Sequence, residues 1–458
     1  MRTRRAYASR HAGLALILAA FVALGMIYFQ VTPLLETPDE PSHFSVVKYI
    51  ADEGRLPPAR PAPPDMPAVP IILPGPPVYY APPLYYVLGA PLIAGLDTGG
   101  FAEAVVPNPN WARGWAPTPG RSPENKHIYV HTADQRPPRA GWAVAMRRLR
   151  FFSLFWGAVT VVGAYALART VWPRSSWTTA ATALVAFNPV FLFVTKGVTN
   201  DALLFALCAW AFVLMARLVN PSTVRFGLMV GVLGIIMGLA ALTKQSALAF
   251  MPAAALAVLW GARARAHTWQ TTFRWLCLWG ALVALVGGWW YLHNALTYSD
   301  PLGLEPHRPP TENWRPPLSL MLRQFGQALQ GYWGAFGWGL ILVDPAIYVL
   351  SAIVAGVGLL RVLCPSGFTT LSEGIRHWWQ SMRQQAVSHQ AARQRIVTML
   401  GLGLCLNLIG LGMWLWRTSA PYGRLLFPAL GPLAVLLMLG WQRWLGKSSR
   451  AGLCAWAI

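Results

Sequence analysis

Apolar runs long enough to cross a bilayer, or nearly so, recur about ten times, near residues 12–31, 151–171, 178–195, 201–216, 226–243, 246–260, 275–293, 344–363, 397–416 and 425–445. Their length and low charge predict an all-α polytopic membrane protein with about 10 transmembrane helices. The first run follows a basic stretch, Arg2 to Arg10. At about 20 residues it exceeds the apolar core of a cleaved signal peptide, and no small-residue cleavage site follows, so it reads as a retained first span. An even count of spans puts both termini on one side.

The segments between the runs set the organisation. Residues 1–31 hold the N-terminus and first span, 32–150 a long loop, 151–293 spans two to seven, 294–343 a second large loop, and 344–458 the last three spans with a polar, basic connection at 364–396. Within the first loop, Glu40–Ile50 reads as a short helix, with Pro41 tolerated in its first turn. The run from Pro57 to Pro77 is too dense in proline for a continuous helix. Pro82-Pro83-Leu84-Tyr85-Tyr86 opens an apolar stretch ending near Leu96, too short to span and suited to a helix lying in the interface. No internal repeat is evident, which argues against a transporter built from inverted halves.

Composition agrees with the pattern. Hydrophobic residues make up 55% of the chain and charged residues 12%, about half the usual charged share, and the 23 tryptophans suit interfacial anchoring. The net charge of +21 could suggest nucleic acid, but the basic residues sit in short loops between apolar runs and form no RNA-binding motif. Membrane lipids or a phosphorylated substrate account for them better. The basic clusters all fall on the N-terminal side, which the positive-inside rule makes cytoplasmic. All of the 16 acidic residues except Glu373 fall on the other face. Acids contribute little to topology, so this asymmetry points to an extracytoplasmic face with chemistry of its own. The five cysteines show no CxxC spacing, so they suggest neither a disulfide framework nor a zinc site.

The candidate chemistry starts just after the first span, in Thr37-Pro38-Asp39-Glu40-Pro41-Ser42-His43-Phe44. On a helix beginning near Pro41, Asp39, Glu40 and His43 would share one face. An ionised carboxylate there suits a general base, a divalent metal held by Glu40 and His43, or simply a helix cap. Asn200-Asp201 lies between two apolar runs and likewise suits either a cap or a site. Lys244, in Leu242-Thr243-Lys244-Gln245-Ser246, and Arg424, at the start of the last span, carry charge on the side disfavoured for cations. Near membrane depth such cations mark functional sites with a phosphate or an acid as partner, snorkelling being the alternative for Lys244. Arg147, Arg148 and Arg150 precede the second span in the same way. No GxSxG, Walker-type glycine loop or HExxH occurs, so neither nucleotide-driven nor serine-hydrolase chemistry is supported.

In order along the chain, the pattern resembles the GT-C superfamily of integral-membrane glycosyltransferases, in the branch of protein O-mannosyltransferases and the aminoarabinose transferase of lipid A. The carrying residues are Asp39-Glu40, Pro82-Pro83-Leu84-Tyr85-Tyr86, Arg148, Asn188-Pro189, Asn200-Asp201, Leu242-Thr243-Lys244 and Gly423-Arg424-Leu425-Leu426-Phe427-Pro428. The resemblance implies a multi-span fold with juxtamembrane helices in the first extracytoplasmic loop. It also implies transfer of a sugar from a polyprenyl-phosphate donor to a lipid, glycan or protein acceptor outside the cytoplasm. By that likeness Asp39 is the catalytic carboxylate with Glu40 beside it. Asp201, Lys244, Arg424, Tyr85 and Arg148 bind substrate, the two cations taking the donor phosphate. His43 and the proline-rich insertion depart from the better-known members. Two other classes remain in view: a flippase for polyprenyl-linked glycans, and a non-catalytic assembly subunit that kept the fold.

Overall fold

The computed structural model describes residues 2–57, 80–111, 125–135, 141–222, 224–304, 316–363, 389–418 and 420–446. Beyond Pro57, the proline-dense run lies outside these residues, as do Glu305, Glu312 and most of the 364–396 connection.

Each of the ten apolar runs folds as helix. The first long helix is α1 (Arg2–Val31), followed in the long loop by α2 (Glu40–Glu53), α3 (Leu84–Ile93) and the single turn α4 (Phe101–Ala104). Next come α5 (Gly141–Val171), the pair α6 (Ser176–Ala186) and α7 (Pro189–Thr195), then α8 (Asn200–Leu218) and α9 (Phe226–Ala241). The 3₁₀ turn Gln245–Phe250 leads into α10 (Met251–Ala264), and α11 (Trp269–Val283) continues through a π turn into α12 (Trp289–Tyr298). The chain then forms α13 (Leu318–Gly334), α14 (Pro345–Leu363), α15 (His389–Arg417), and a 3₁₀ turn Gly423–Ala429 leading into α16 (Leu430–Leu445). An all-α polytopic membrane fold results. Among the described residues the one sheet is a hairpin of β1 (Ala335–Phe336) and β2 (Ile341–Leu342), two residues per strand, and an isolated antiparallel bridge joins Pro107 to Tyr129.

Among the described residues, eight helical segments are long and apolar enough to span, or nine if α6 and α7 count as one. The expected ten thus include two departures. The run at 226–243 yields a 16-residue helix, short for a perpendicular crossing. The run at 178–195 is bent by 58° between α6 and α7. The cause is local: Asn188 precedes Pro189 and is pushed into extended backbone, and its side chain caps α7 by accepting from Phe191 N–H at 2.8 Å. Its amide donates to the Tyr332 carbonyl, so the freed polar groups at the break are met by protein.

Burial separates the spans by role. In α8, 83% of the spanning window is covered by protein, whereas in α14 the share is 6%. The first is the central post of the bundle; the second presents its apolar side chains outward, as a lipid-facing helix does. A second apolar core caps one end of the bundle. It joins Phe44 and Val47 of α2, Tyr85 and Tyr86 of α3, Phe101 of α4, Tyr129, and Trp142 to Leu149 of α5. The interfacial helix expected near Tyr85 is therefore α3, docked on α2 and the start of α5.

Candidate functional site

The site lies where the cap meets the bundle. It begins with the turn between α1 and α2, whose backbone takes the left-handed conformation at both Leu35 (φ 76°) and Asp39 (φ 64°). Such geometry costs a non-glycine residue energy, is commonest for Asp and Asn, and persists only where the surroundings fix it. Here they do. Asp39 stands at the N-terminus of α2 but makes no side-chain cap; its carboxylate turns instead to Arg424, which also donates to the Pro38 carbonyl at 3.2 Å. The capping alternative for Asp39 is thereby removed.

Arg424 reaches this position because the backbones beneath it nearly touch. A Cβ on Gly423 would lie 2.0 Å from the carbonyl carbon of Gly331 in α13, so only glycine permits the approach. The guanidinium is shared: its Nε lies 3.4 Å from Asp201 Oδ2. Asp201 in turn accepts from Lys244 Nζ at 2.6 Å through Oδ1. The cap of α8 belongs to Thr199, whose hydroxyl accepts from Asp201 N–H, leaving the Asp201 side chain for the two cations. The Lys244 turn is anchored by Asn200, which donates to the Thr243 carbonyl, and by the first N–H of α3, which donates to Leu242. Four residues from four distant segments thus form one sequence of alternating charge: Asp39, Arg424, Asp201, Lys244.

Glu40 points elsewhere. Its side chain is fully buried, and Arg150 forks onto it with Nε to Oε1 at 2.7 Å and Nη2 to Oε2 at 2.6 Å. The Val198 and Leu35 amides donate to the same two oxygens. Four donors occupy the roughly four lone-pair positions a carboxylate offers, leaving none for a metal or a proton in transit. This corrects the expectation that Glu40 acts beside Asp39 or holds a metal with His43. It also shows which arginine of the second span enters the framework: Arg150, which further donates to the Thr32 and Pro33 carbonyls. Arg148 is exposed and bonds the Leu92 carbonyl at 3.3 Å, away from the charged sequence.

Tyr85 is likewise engaged within the protein. It is 0% exposed, its hydroxyl pairing with Ser153 at 2.7 Å and accepting from Thr199 N–H at 3.2 Å. The tyrosine therefore locks α3 to α5 and to the start of α8. His43 meets Tyr86 across 2.9 Å through Nδ1. Lys196, buried, donates to Thr37 at 2.9 Å and lies over the Phe193 ring. That contact requires Gly197, where a Cβ would stand 2.2 Å from Thr37 Cγ2.

The electrostatics follow from this packing. Burial pushes the Asp39 carboxyl upward, but the positive charges of Arg424, of His43 once protonated at low pH, and of Lys244 outweigh it and hold Asp39 below the usual carboxylate range. Glu40 is also held low, burial being overcome by Arg150 and Lys196. His43 is pushed down to about 4, chiefly by burial, and is neutral at pH 7.

A separate group converges nearby: Glu36, His127 and His131, with ligand-type atoms all within 4.8 Å of one another. The HxxxH spacing at 127–131 was visible in the chain, but nothing in sequence joined it to a glutamate at the end of the first span. A cleft of about 440 Å³ lined by Tyr165, Arg169 and Arg217 lies along α5 and α8, remote in sequence from the charged residues.

Residues 143–291 match the family model described as dolichyl-phosphate-mannose-protein mannosyltransferase. This range includes Arg150, Asp201 and Lys244 but not Asp39 or Arg424. No curated protein matches the chain. Among solved structures, the oligosaccharyltransferase of Archaeoglobus fulgidus, in complex with zinc and sulfate, is similar at 13% identity and a TM-score of 0.47, over 96% of this chain and 51% of that one. ArnT from Cupriavidus metallidurans, bound to undecaprenyl phosphate, is similar at 13% identity and a TM-score of 0.41, over 94% of this chain and 78% of that one. The chain spans about half the length of the archaeal protein.

Proposed function

We propose, for a chain whose residues 143–291 carry the mannosyltransferase family match of the GT-C superfamily, that it transfers a sugar from a polyprenyl-phosphate donor to an acceptor on the extracytoplasmic face. The observation that carries this reading is the convergence of Asp39, Arg424, Asp201 and Lys244, with Arg424 and Asp201 buried, at one end of a membrane bundle. Asp201 Oδ2 and Arg424 Nε are buried without a completed hydrogen bond, so both retain capacity for another partner.

In this reading Lys244 and Arg424 bind the donor phosphate, and the lipid tail stays in the bilayer. Arg424 then shares its charge between phosphate and Asp39, which loosens its hold and raises the basicity of Asp39. Asp39 accepts the proton of the acceptor nucleophile as that atom attacks the anomeric carbon. The bond from the anomeric carbon to the phosphate oxygen breaks on the opposite face, giving inversion. Lys244 and Arg424 offset the charge that develops on the departing phosphate. His43, neutral and paired with Tyr86, flanks Asp39 without supplying a proton. Glu40 and Arg150 hold the turn that presents Asp39.

A flippase would need no base. Incubating the purified protein with a panel of polyprenyl-phosphate sugars and measuring released lipid phosphate separates the two. Release by the wild type and none by Asp39→Asn, with membrane insertion unchanged, is the expected result. Full activity in Asp39→Asn would remove that carboxylate from the mechanism.

A further inference from the structure

The Glu36, His127 and His131 group is fastened differently from the charged sequence and is absent from it. His131 Nε2 lies 3.0 Å and His127 Nδ1 3.5 Å from the same oxygen, Glu36 Oε1. Ligands bound to one tetrahedral zinc at about 2.0–2.1 Å stand roughly 3.3 Å apart, so these two separations bracket the edge of such a shell. Glu36 is 6% exposed, His131 23% and His127 54%, so the group is closed toward the protein and open on the His127 side.

The second shell points the same way. His131 Nδ1 stands 3.0 Å from Gln135 Oε1. A proton on Nδ1, donated to that carbonyl oxygen, leaves the Nε2 lone pair facing Glu36. Histidine ligands to metals are held in this way, the remote nitrogen donating to an oxygen acceptor. Glu36 Oε1 also accepts from Tyr129 N–H at 3.3 Å, which fixes the carboxylate relative to the histidine-bearing segment.

We propose that Glu36, His127 and His131 bind a zinc-class divalent cation that fastens the 127–131 segment to the exit of the first span, with a fourth position open to water. Two imidazoles and one carboxylate favour zinc over magnesium or calcium, which prefer all-oxygen shells. The site stands apart from the transfer reaction proposed above: Glu36 precedes Asp39 by one turn of chain, and none of its three ligands belongs to the phosphate-binding set.

The test uses the full chain in detergent, stripped with a chelator and titrated with zinc, then with cobalt(II) as a spectroscopic probe. Stoichiometric zinc, a rise in melting temperature on its return, and the visible absorption of four-coordinate cobalt are expected. The double variant His127→Ala/His131→Ala should lose all three signals. Gln135→Leu, which leaves every ligand in place, should weaken zinc binding by roughly 10–100-fold. Should the double variant fail to fold, Gln135→Leu and the wild-type cobalt spectrum still decide. Zinc binding equal in wild type and Gln135→Leu, or a six-coordinate cobalt spectrum, overturns the proposal.

Discussion

Arg150 closes on Glu40 with two parallel hydrogen bonds, at 2.7 and 2.6 Å, and neither side chain has any exposure. A charge pair so placed is costly to bury and costlier to break, because removing one partner strands the other. Glu40→Ala should therefore cost about 3–5 kcal/mol of stability, read as a lower melting temperature and poorer yield from membranes. Asp39→Asn, one residue earlier, should melt close to wild type, since Asp39 is partly exposed and retains an acceptor for Arg424. Equal melting of the two variants would mean that Glu40 does not organise the turn.

Arg424 and Asp39 give a kinetic counterpart. Arg424 holds the Asp39 carboxyl low against burial, so Arg424→Gln should let it rise. The acidic limb of the transfer rate should move to higher pH, with a loss of about 10²–10³ in maximal rate from the missing phosphate donor. A rate loss with an unmoved acidic limb would separate Arg424 from Asp39.

His43 sets a pH window for stability. Its folded value of about 4 lies below the ordinary 6.5, so the unfolded chain takes up a proton first as the pH falls. Stability is complete above about pH 6.5 and declines toward pH 4, by as much as roughly 3 kcal/mol. Asp39 does not contribute in this range, because its folded carboxyl is held low and its own contribution is lost only further down. Melting temperatures from pH 4 to 8 should show this slope, and His43→Asn should flatten it.

Tyr85→Phe distinguishes a structural tyrosine from a substrate contact. The substitution removes bonds to Ser153 and to Thr199 N–H inside the protein. It should cost about 1–3 kcal/mol and leave the KM for donor unchanged. A raised KM at unchanged stability would return Tyr85 to the substrate.

Much of this architecture can be read directly from the chain, because bilayer-length apolar runs leave few alternatives to helix. The break at Asn188-Pro189 is just as local in origin, yet a hydropathy run of residues 178–195 conceals it. At the site, charges misplaced for topology pointed to Lys244 and Arg424, and the structure brings both beside Asp201. Direction was beyond the sequence. Asp39 and Glu40 are neighbours, but a left-handed residue at the start of α2 sends one carboxylate to Arg424 and the other to Arg150. Arg148 and Arg150 illustrate the same limit: two residues along α5, about 200° of helical rotation, separate a surface cation from a buried one.

The alternating order of Asp39, Arg424, Asp201 and Lys244 has a consequence for how an anion is found. Two carboxylates and two cations sum to zero, so their field at a distance is at most dipolar, which fades faster than that of a single charge and is damped by salt within about 8–10 Å. Such a quartet is a poor beacon but a good lock. It distinguishes a phosphate only on contact, when the cations can turn from one anion to another. In the proposed reaction, finding the site is then left to the bilayer, whose two dimensions confine a lipid-linked donor.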